Sequence, residues 1–199
     1  MGRIVVMNHV TLDGVMQGPA REGEDARGGF TLSGWGHRSP GSPEDVVNAM
    51  SERMEAGGGL KGWLFGRWTY ESIMAVWNSR GGPFMDALNS TPKYIASTTL
   101  DEPLPWPNST LLRGEITEAV GDLRARTDGV LGIMGSGVLI SSLMAADLID
   151  EYLLFIHPLV LGSGRRLFPQ GVEATLRLAK GAITAAGIVI ASYERRREE

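Results

Sequence analysis

Short apolar runs alternate with amphipathic helical stretches along this chain, and that alternation limits its fold more than any other feature. Gly62-Trp63-Leu64-Phe65-Gly66 reads as a strand feeding Thr69, a residue type that caps helices, and a helix from Tyr70 to about Asn78. Pro83 to Asn89 reads as helix and Lys93 to Ser97 as strand. Glu115 to Arg126 carries Ile116, Ala119, Val120 and Leu123 at helical spacing. Val130 to Met134 is a strand, Gly135-Ser136-Gly137 a turn and Val138 to Ala146 a short helix. Residues 3–10 (RIVVMNHV) are apolar on both parities, as a strand buried on both faces must be, and Ile149 to Pro158 reads the same way. A strand–helix–strand unit needs a crossover, so this order specifies a mostly parallel central sheet with helices on both faces. Leu176 to Thr184 and Ile188 to Arg195 break the pattern: two β-rich runs around Ala185-Ala186-Gly187 predict an antiparallel C-terminal hairpin at the sheet edge. The expectation is one α/β domain over residues 1–199.

Ser42-Pro43-Glu44-Asp45 signals a helix start, with Ser42 as N-cap and carboxylates in the first turn. The helix runs to about Glu55, with Val46, Val47, Met50 and Met54 on one face, and Gly57 to Gly59 end it. The chain has 27 glycines in 199 residues, nearly double the usual share of about 7%. Seven of them lie between Gly18 and Gly41, in a long loop whose Phe30, Leu32 and Trp35 argue for order and which predicts a lid.

Zero cysteines exclude disulfides and thiolate metal sites. Lys+Arg 19 against Asp+Glu 23 gives a net charge of −4, and only Arg195 to Arg197 cluster, beside Glu194, Glu198 and Glu199; nucleic acid is not expected as a partner. The N-terminus lacks a signal-peptide core and no apolar run approaches the roughly 18 residues of a membrane span, so a cytoplasmic protein without a membrane partner is expected.

In open α/β sheets, ligands meet strand ends and helix N-termini. Three junctions qualify. Gly135-Ser136-Gly137 lets backbone N–H groups approach a diphosphate, or is simply a tight turn. Gly66-Arg67-Trp68-Thr69 sets a forked cation before a helix start, and Ser97-Thr98-Thr99 puts hydroxyls after a strand. Together they suit a dinucleotide bearing a 2′-phosphate, although each has a plain structural role available as surface charge, cap or turn.

Gly66-Arg67-Trp68-Thr69-Tyr70-Glu71-Ser72-Ile73 resembles the Gly-Arg-x-Thr-aromatic-Glu-Ser segment of dihydrofolate reductases. Thr11-Leu12-Asp13-Gly14, Lys93 to Leu100, Met134 to Gly137 and Pro158 to Phe168 resemble the reductase domain of bacterial riboflavin-biosynthesis deaminase-reductases, the RibD C-terminal domain, in a stand-alone form. The resemblance runs from Ile4 to Tyr193. It implies the dihydrofolate reductase-like three-layer fold, NADPH as cofactor and a homodimer. Carried onto this chain, Arg67, Thr69, Ser97 and Thr98 would take the adenosine-side phosphates, and Gly135, Ser136, Gly137 and Val138 the diphosphate. Two departures stand against folate reduction. Gly34-Trp35-Gly36 replaces a Pro-Trp pair, and the tail-binding Arg has no counterpart.

Asp13 could hydrogen-bond a heterocycle or relay a proton, or be an ordinary Asp-Gly turn. Trp35 reads either as a lid over a planar substrate or as a loop anchor. Glu44 and Asp45 are helix-start carboxylates before they are proton donors. Met7 is core or pocket wall, and His9, His37 and His157 have no metal-site spacing, so no metal is expected. Gly162 to Arg166 could touch a substrate phosphate or a second subunit, or be plain exposed loop. The function expected is hydride transfer from NADPH to a small planar C=N or C=O heterocycle of pterin, pyrimidine or flavin-precursor type, with Met7, Asp13 and Trp35 at the substrate. A ligand-binding protein without turnover and a true dihydrofolate reductase are the alternatives.

Overall fold

The computed structural model describes residues 1–38 and 43–196. Ser42, expected as a cap, lies outside them, as do Pro40 and Gly41 of the loop and Arg197, Glu198 and Glu199. The elements are β1 (Arg3–Thr11), α1 (Pro43–Ala56), β2 (Leu60–Gly66), α2 (Arg67–Arg80), α3 (Pro83–Ser90), β3 (Lys93–Ala96) and β4 (Ser109–Leu112). After these come α4 (Ile116–Arg126), β5 (Val130–Ile133), α5 (Gly137–Ala145), β6 (Glu151–His157), β7 (Leu176–Ile183) and β8 (Val189–Arg195). The architecture is α/β, parallel except for the C-terminal strands, as the alternation predicts. None of the helices among the described residues is long and apolar enough to cross a membrane.

Two compact units form. The first comprises Met1–Ile4 and Met54–Leu148, and its strands run β4-β3-β2-β5, all parallel. Leu64, Phe65, Ile95, Leu131 and Ile133 are buried on it. Gly132 lies opposite Trp63 in the register, and a Cβ there would stand 2.5 Å from the indole, so this strand yields its side-chain volume to its neighbour. The sequence reading lacks β4. Ser109 to Leu112 follow the prolines at 103, 105 and 107 and become a strand because β3 offers them an edge. Lys93 is fully buried, and its ammonium donates to the carbonyls of Leu88 and Thr91 at 2.6 and 2.8 Å, filling acceptors at the end of α3. Burial lowers its pKa to about 8.

The second unit comprises Val5–Arg53 and the chain from Ile149, with strands in the order β1-β6-β8-β7. β1 and β6 are parallel; β8 runs antiparallel to β6, and β7 closes the edge as the predicted hairpin. Successive rows of one sheet face read Met7, Leu153, Ser192 and Lys180, then His9, Phe155, Ile190 and Ala182, because register partners point the same way. Val47 is 57% exposed, so it does not belong to the inward stripe of α1. Arg53 takes that direction, with its guanidinium on the buried Glu151 carboxylate at 2.5 Å. Helical spacing alone does not show that an ion pair, rather than a valine, faces the sheet.

Candidate functional site

In the first unit the β2–α2 and β5–α5 junctions are tied to each other by side chains. Ser136 accepts through Oγ from the Gly66 N–H at 3.0 Å, and its own N–H donates to Thr69 Oγ1 at 2.9 Å. Thr69 is therefore not the cap of α2, as its residue type suggested: it is the third helical residue, and Gly66 holds the N-cap position. Gly135 and Ser136 both adopt left-handed φ, +59° and +58°. A Cβ on Gly135 would stand 3.0 Å from the Thr69 methyl, so position 135 combines positive φ with close approach and excludes larger residues. Neither Gly66 nor Ser136 caps its helix with its own side chain.

Arg67 opens α2. Its guanidinium donates from Nε to Glu71 at 3.0 Å and from Nη1 to Thr99 Oγ1 at 2.8 Å. Ser97 Oγ accepts from the backbone N–H groups of Thr99 and Leu100, both at 3.1 Å, and so shapes the turn that carries Thr99. Thr98 is exposed beside them. The structure thus brings Arg67, Ser97 and Thr99 together, and Thr69 with Gly135 and Ser136. Thr99 rather than Thr98 meets Arg67, a choice that turn geometry makes and composition does not signal. Val138, 68% exposed, stands in the first turn of α5.

In the second unit Asp13 follows β1. Its carboxylate accepts from Thr11 Oγ1 at 2.6 Å and from the N–H groups of Gly162 and Leu161 at 2.8 and 3.2 Å. Burial is the largest single influence on its pKa and raises it, but the Thr11, Gly162 and Leu161 hydrogen bonds together outweigh it and hold the carboxyl below its ordinary range. At neutral pH Asp13 is an ionised acceptor that fastens the 159–162 segment to the end of β1.

Trp35 is fully buried with Val15 and Phe30, and its indole N–H donates to Gln17 O at 2.6 Å. Of the two readings of this residue, the described packing is that of the anchor. Gln17, which the sequence does not single out, clamps the glycine-rich loop: its amide donates to Arg27 O and accepts from the Arg165 N–H, each at 2.9 Å. Met7 is buried in β1. Its register partner Leu153 floors a cavity of about 240 Å³ under α1, with Ala49, Arg53, Ile190 and Ser192 among its walls.

Beyond Met7 on the same face, His9 Nδ1 lies 2.8 Å from His157 Nε2. His9 stacks on Phe155 at 4.9 Å, and Trp35 meets His157 edge-on at 5.2 Å. Burial, and then the neighbouring His157, lower the His9 pKa to about 4; burial also lowers that of His157. Among the described residues no group of three or more metal-ligating side chains forms.

A histidine depressed in the folded state binds its proton in the unfolded chain first. Stability contributed by His9 is therefore full above the ordinary histidine pKa of about 6.5 and is lost as pH falls towards about 4. Urea unfolding at pH 7 and pH 5 should show the loss, and His9→Phe should flatten the dependence. An unchanged slope in the variant would remove His9 as its source.

Residues 3–190 match the family model of the RibD C-terminal domain. The chain belongs to this family. An uncharacterized Bacillus subtilis protein, YyaP, is 33% identical over 108 residues, which is 53% of this chain and 56% of that protein, so the alignment spans little more than half of either. A candidate riboflavin biosynthesis protein from Shewanella sp. PV-4 has a similar structure, with TM-score 0.74 and 24% identity over 98% of this chain and 99% of that one. Dihydrofolate reductase from Enterococcus faecalis, solved in complex with NADP(H) and RAB-propyl, gives TM-score 0.61 and 12% identity over 98% and 97% of the two chains. A pyrimidine reductase-like protein from Corynebacterium diphtheriae gives 0.60 and 10% over 98% and 92%. This RibD C-terminal domain therefore has the dihydrofolate reductase-like fold.

Proposed function

We propose that this RibD C-terminal domain protein is an NADPH-dependent reductase that transfers a hydride to a small planar heterocycle bearing a C=N or C=O group, of pterin, pyrimidine or flavin-precursor type. Family membership supports the reductase class. The observation that carries the cofactor reading is the pair of joined helix N-termini without side-chain caps, beside a forked cation. First-turn N–H groups and the helix dipole favour a phosphate. Arg67, Thr69, Ser97 and Thr98 serve the adenosine-side phosphates in this reading, and Gly135, Ser136, Gly137 and Val138 the diphosphate. NADPH bound there supplies the hydride.

On the substrate side, Met7 continues the sheet face that floors the cavity, Trp35 holds the loop over His157, and Asp13 offers an ionised acceptor rather than a proton. The reading includes a homodimer in the cytoplasm, which size-exclusion chromatography and fractionation would test.

Binding should be measured by fluorescence titration. Arg67→Ala removes charge-assisted hydrogen bonds of about 1.5–3 kcal/mol, so NADPH should weaken roughly tenfold to hundredfold while NADH barely changes. Equal losses for both nucleotides would take Arg67 away from the 2′-phosphate, and no response of the wild type to NADPH would end the reading. A ligand-binding protein without turnover is the second reading, favoured by the lowered pKa of Asp13, which leaves it no proton to give at neutral pH. Steady NADPH consumption with a heterocycle would exclude it.

A further inference from the structure

The buried unpartnered side-chain polar atoms among the described residues include His157 Nδ1, on a residue only 3% exposed. Its other nitrogen, Nε2, lies 2.8 Å from His9 Nδ1, so one ring must donate to the other. Two neutral arrangements exist. If His9 donated, His157 would carry its proton on Nδ1, an N–H buried with no acceptor. If His157 donates from Nε2, its Nδ1 is a bare lone pair, and an unfilled buried acceptor is tolerated better than an orphaned donor. The second arrangement also settles His9. With Nδ1 accepting, its own proton must sit on Nε2, and Nε2 is not among the buried unpartnered atoms of a ring that is half-buried.

We propose that His9 is a specificity-determining residue: a neutral imidazole, held by His157 in the Nε2–H form, that donates a hydrogen bond to an uncharged acceptor on the substrate, a ring nitrogen or a carbonyl oxygen. The inference rests on the reductase reading for the substrate's class, and on the sheet register for its place. His9 follows Met7 by two residues on one face of β1, and its plane is fixed by the stack on Phe155. A pKa near 4 keeps the ring uncharged at neutral pH, which suits it to a neutral acceptor rather than to a phosphate. Polarising a C=O or C=N group in this way draws electron density from the carbon that would accept hydride. No proton leaves the ring in this role, and solvent supplies the one that balances the hydride.

The test is ¹⁵N NMR of the histidine-labelled protein at pH 7. Both rings should be neutral, with protons on Nε2 of His9 and Nε2 of His157 and a bare Nδ1 on each. A proton on His157 Nδ1, or a cationic His9, overturns the proposal. Lumazine, uracil and alloxazine should then be titrated with NADPH present. The His9 Nε2 resonance should move with any probe that raises the melting temperature, and His9→Phe should weaken that probe about tenfold. A probe that binds without moving the resonance, or a panel in which none binds, overturns the assignment of His9 to these acceptors. Failure of NADPH itself to bind counts against the reductase reading and leaves the histidine tautomers as measured.

Discussion

Trp35→Ala should lower the stability of the folded chain by about 3–5 kcal/mol, the range for emptying a large aromatic site in a core, and lower Tm by roughly 6–20 °C. The indole is fully buried, packs with Val15 and Phe30 and with the partly buried Leu32, Leu159 and Leu161, and closes a hydrogen bond to Gln17 O. Its loss removes apolar contact and leaves that carbonyl unfilled. Trp35→Phe keeps most of the ring and should cost about 1–3 kcal/mol, the penalty for an unsatisfied buried acceptor. Denaturant titrations of both variants would decide the matter. If Trp35→Ala lost less than about 1 kcal/mol, the loop would not be anchored here, and the lid reading of this residue would regain its ground.

Breaking the Arg53–Glu151 pair should be as costly. Glu151 is 1% exposed, receives the Arg53 guanidinium at 2.5 Å and is also met by the Ser192 hydroxyl. Arg53→Met strips one partner from a buried carboxylate, for which about 3–5 kcal/mol is usual. Arg53→Met with Glu151→Leu removes both charges and puts apolar volume beside Leu153, so the double variant should recover most of that loss. A double variant less stable than the single would show that Glu151 earns its place through its remaining contacts. The two variants also bear on the cavity under α1, because Arg53 lines it.

Much of the fold was legible in the sequence. Among the described residues, the apolar and helical runs marked seven of the eight strands and all five α-helices, since those signals are local; β4, which follows the proline-rich turn, was not marked. The residues expected to meet a phosphate were legible as types at strand ends: Arg67, Ser97, Gly135 and Ser136 stand at the strand–helix and strand–turn junctions where their spacing places them. Their bonds were not. Thr69 looked like a cap because Thr caps helices, yet its hydroxyl is taken by the Ser136 N–H, 67 residues away in the chain. Val47 looked inward by spacing, yet Arg53 is the residue of α1 that reaches the sheet-face carboxylate. His9 and His157 carried no mutual signal, because a pair forms only when β1 and β6 lie side by side.

What the sequence determined by itself, then, is the order of strands and helices, the positions where backbone must bend through glycine, and the residue types at each junction, all set by interactions within a few residues. The tertiary structure decided the state of the groups there. Asp13 is fastened in place because Gly162, 149 residues on, donates to its carboxylate, and His157 aligns His9 across 148. Hydrogen bonding and burial set charge and tautomer, and both depend on neighbours that parallel strand pairing supplies from the far end of the chain.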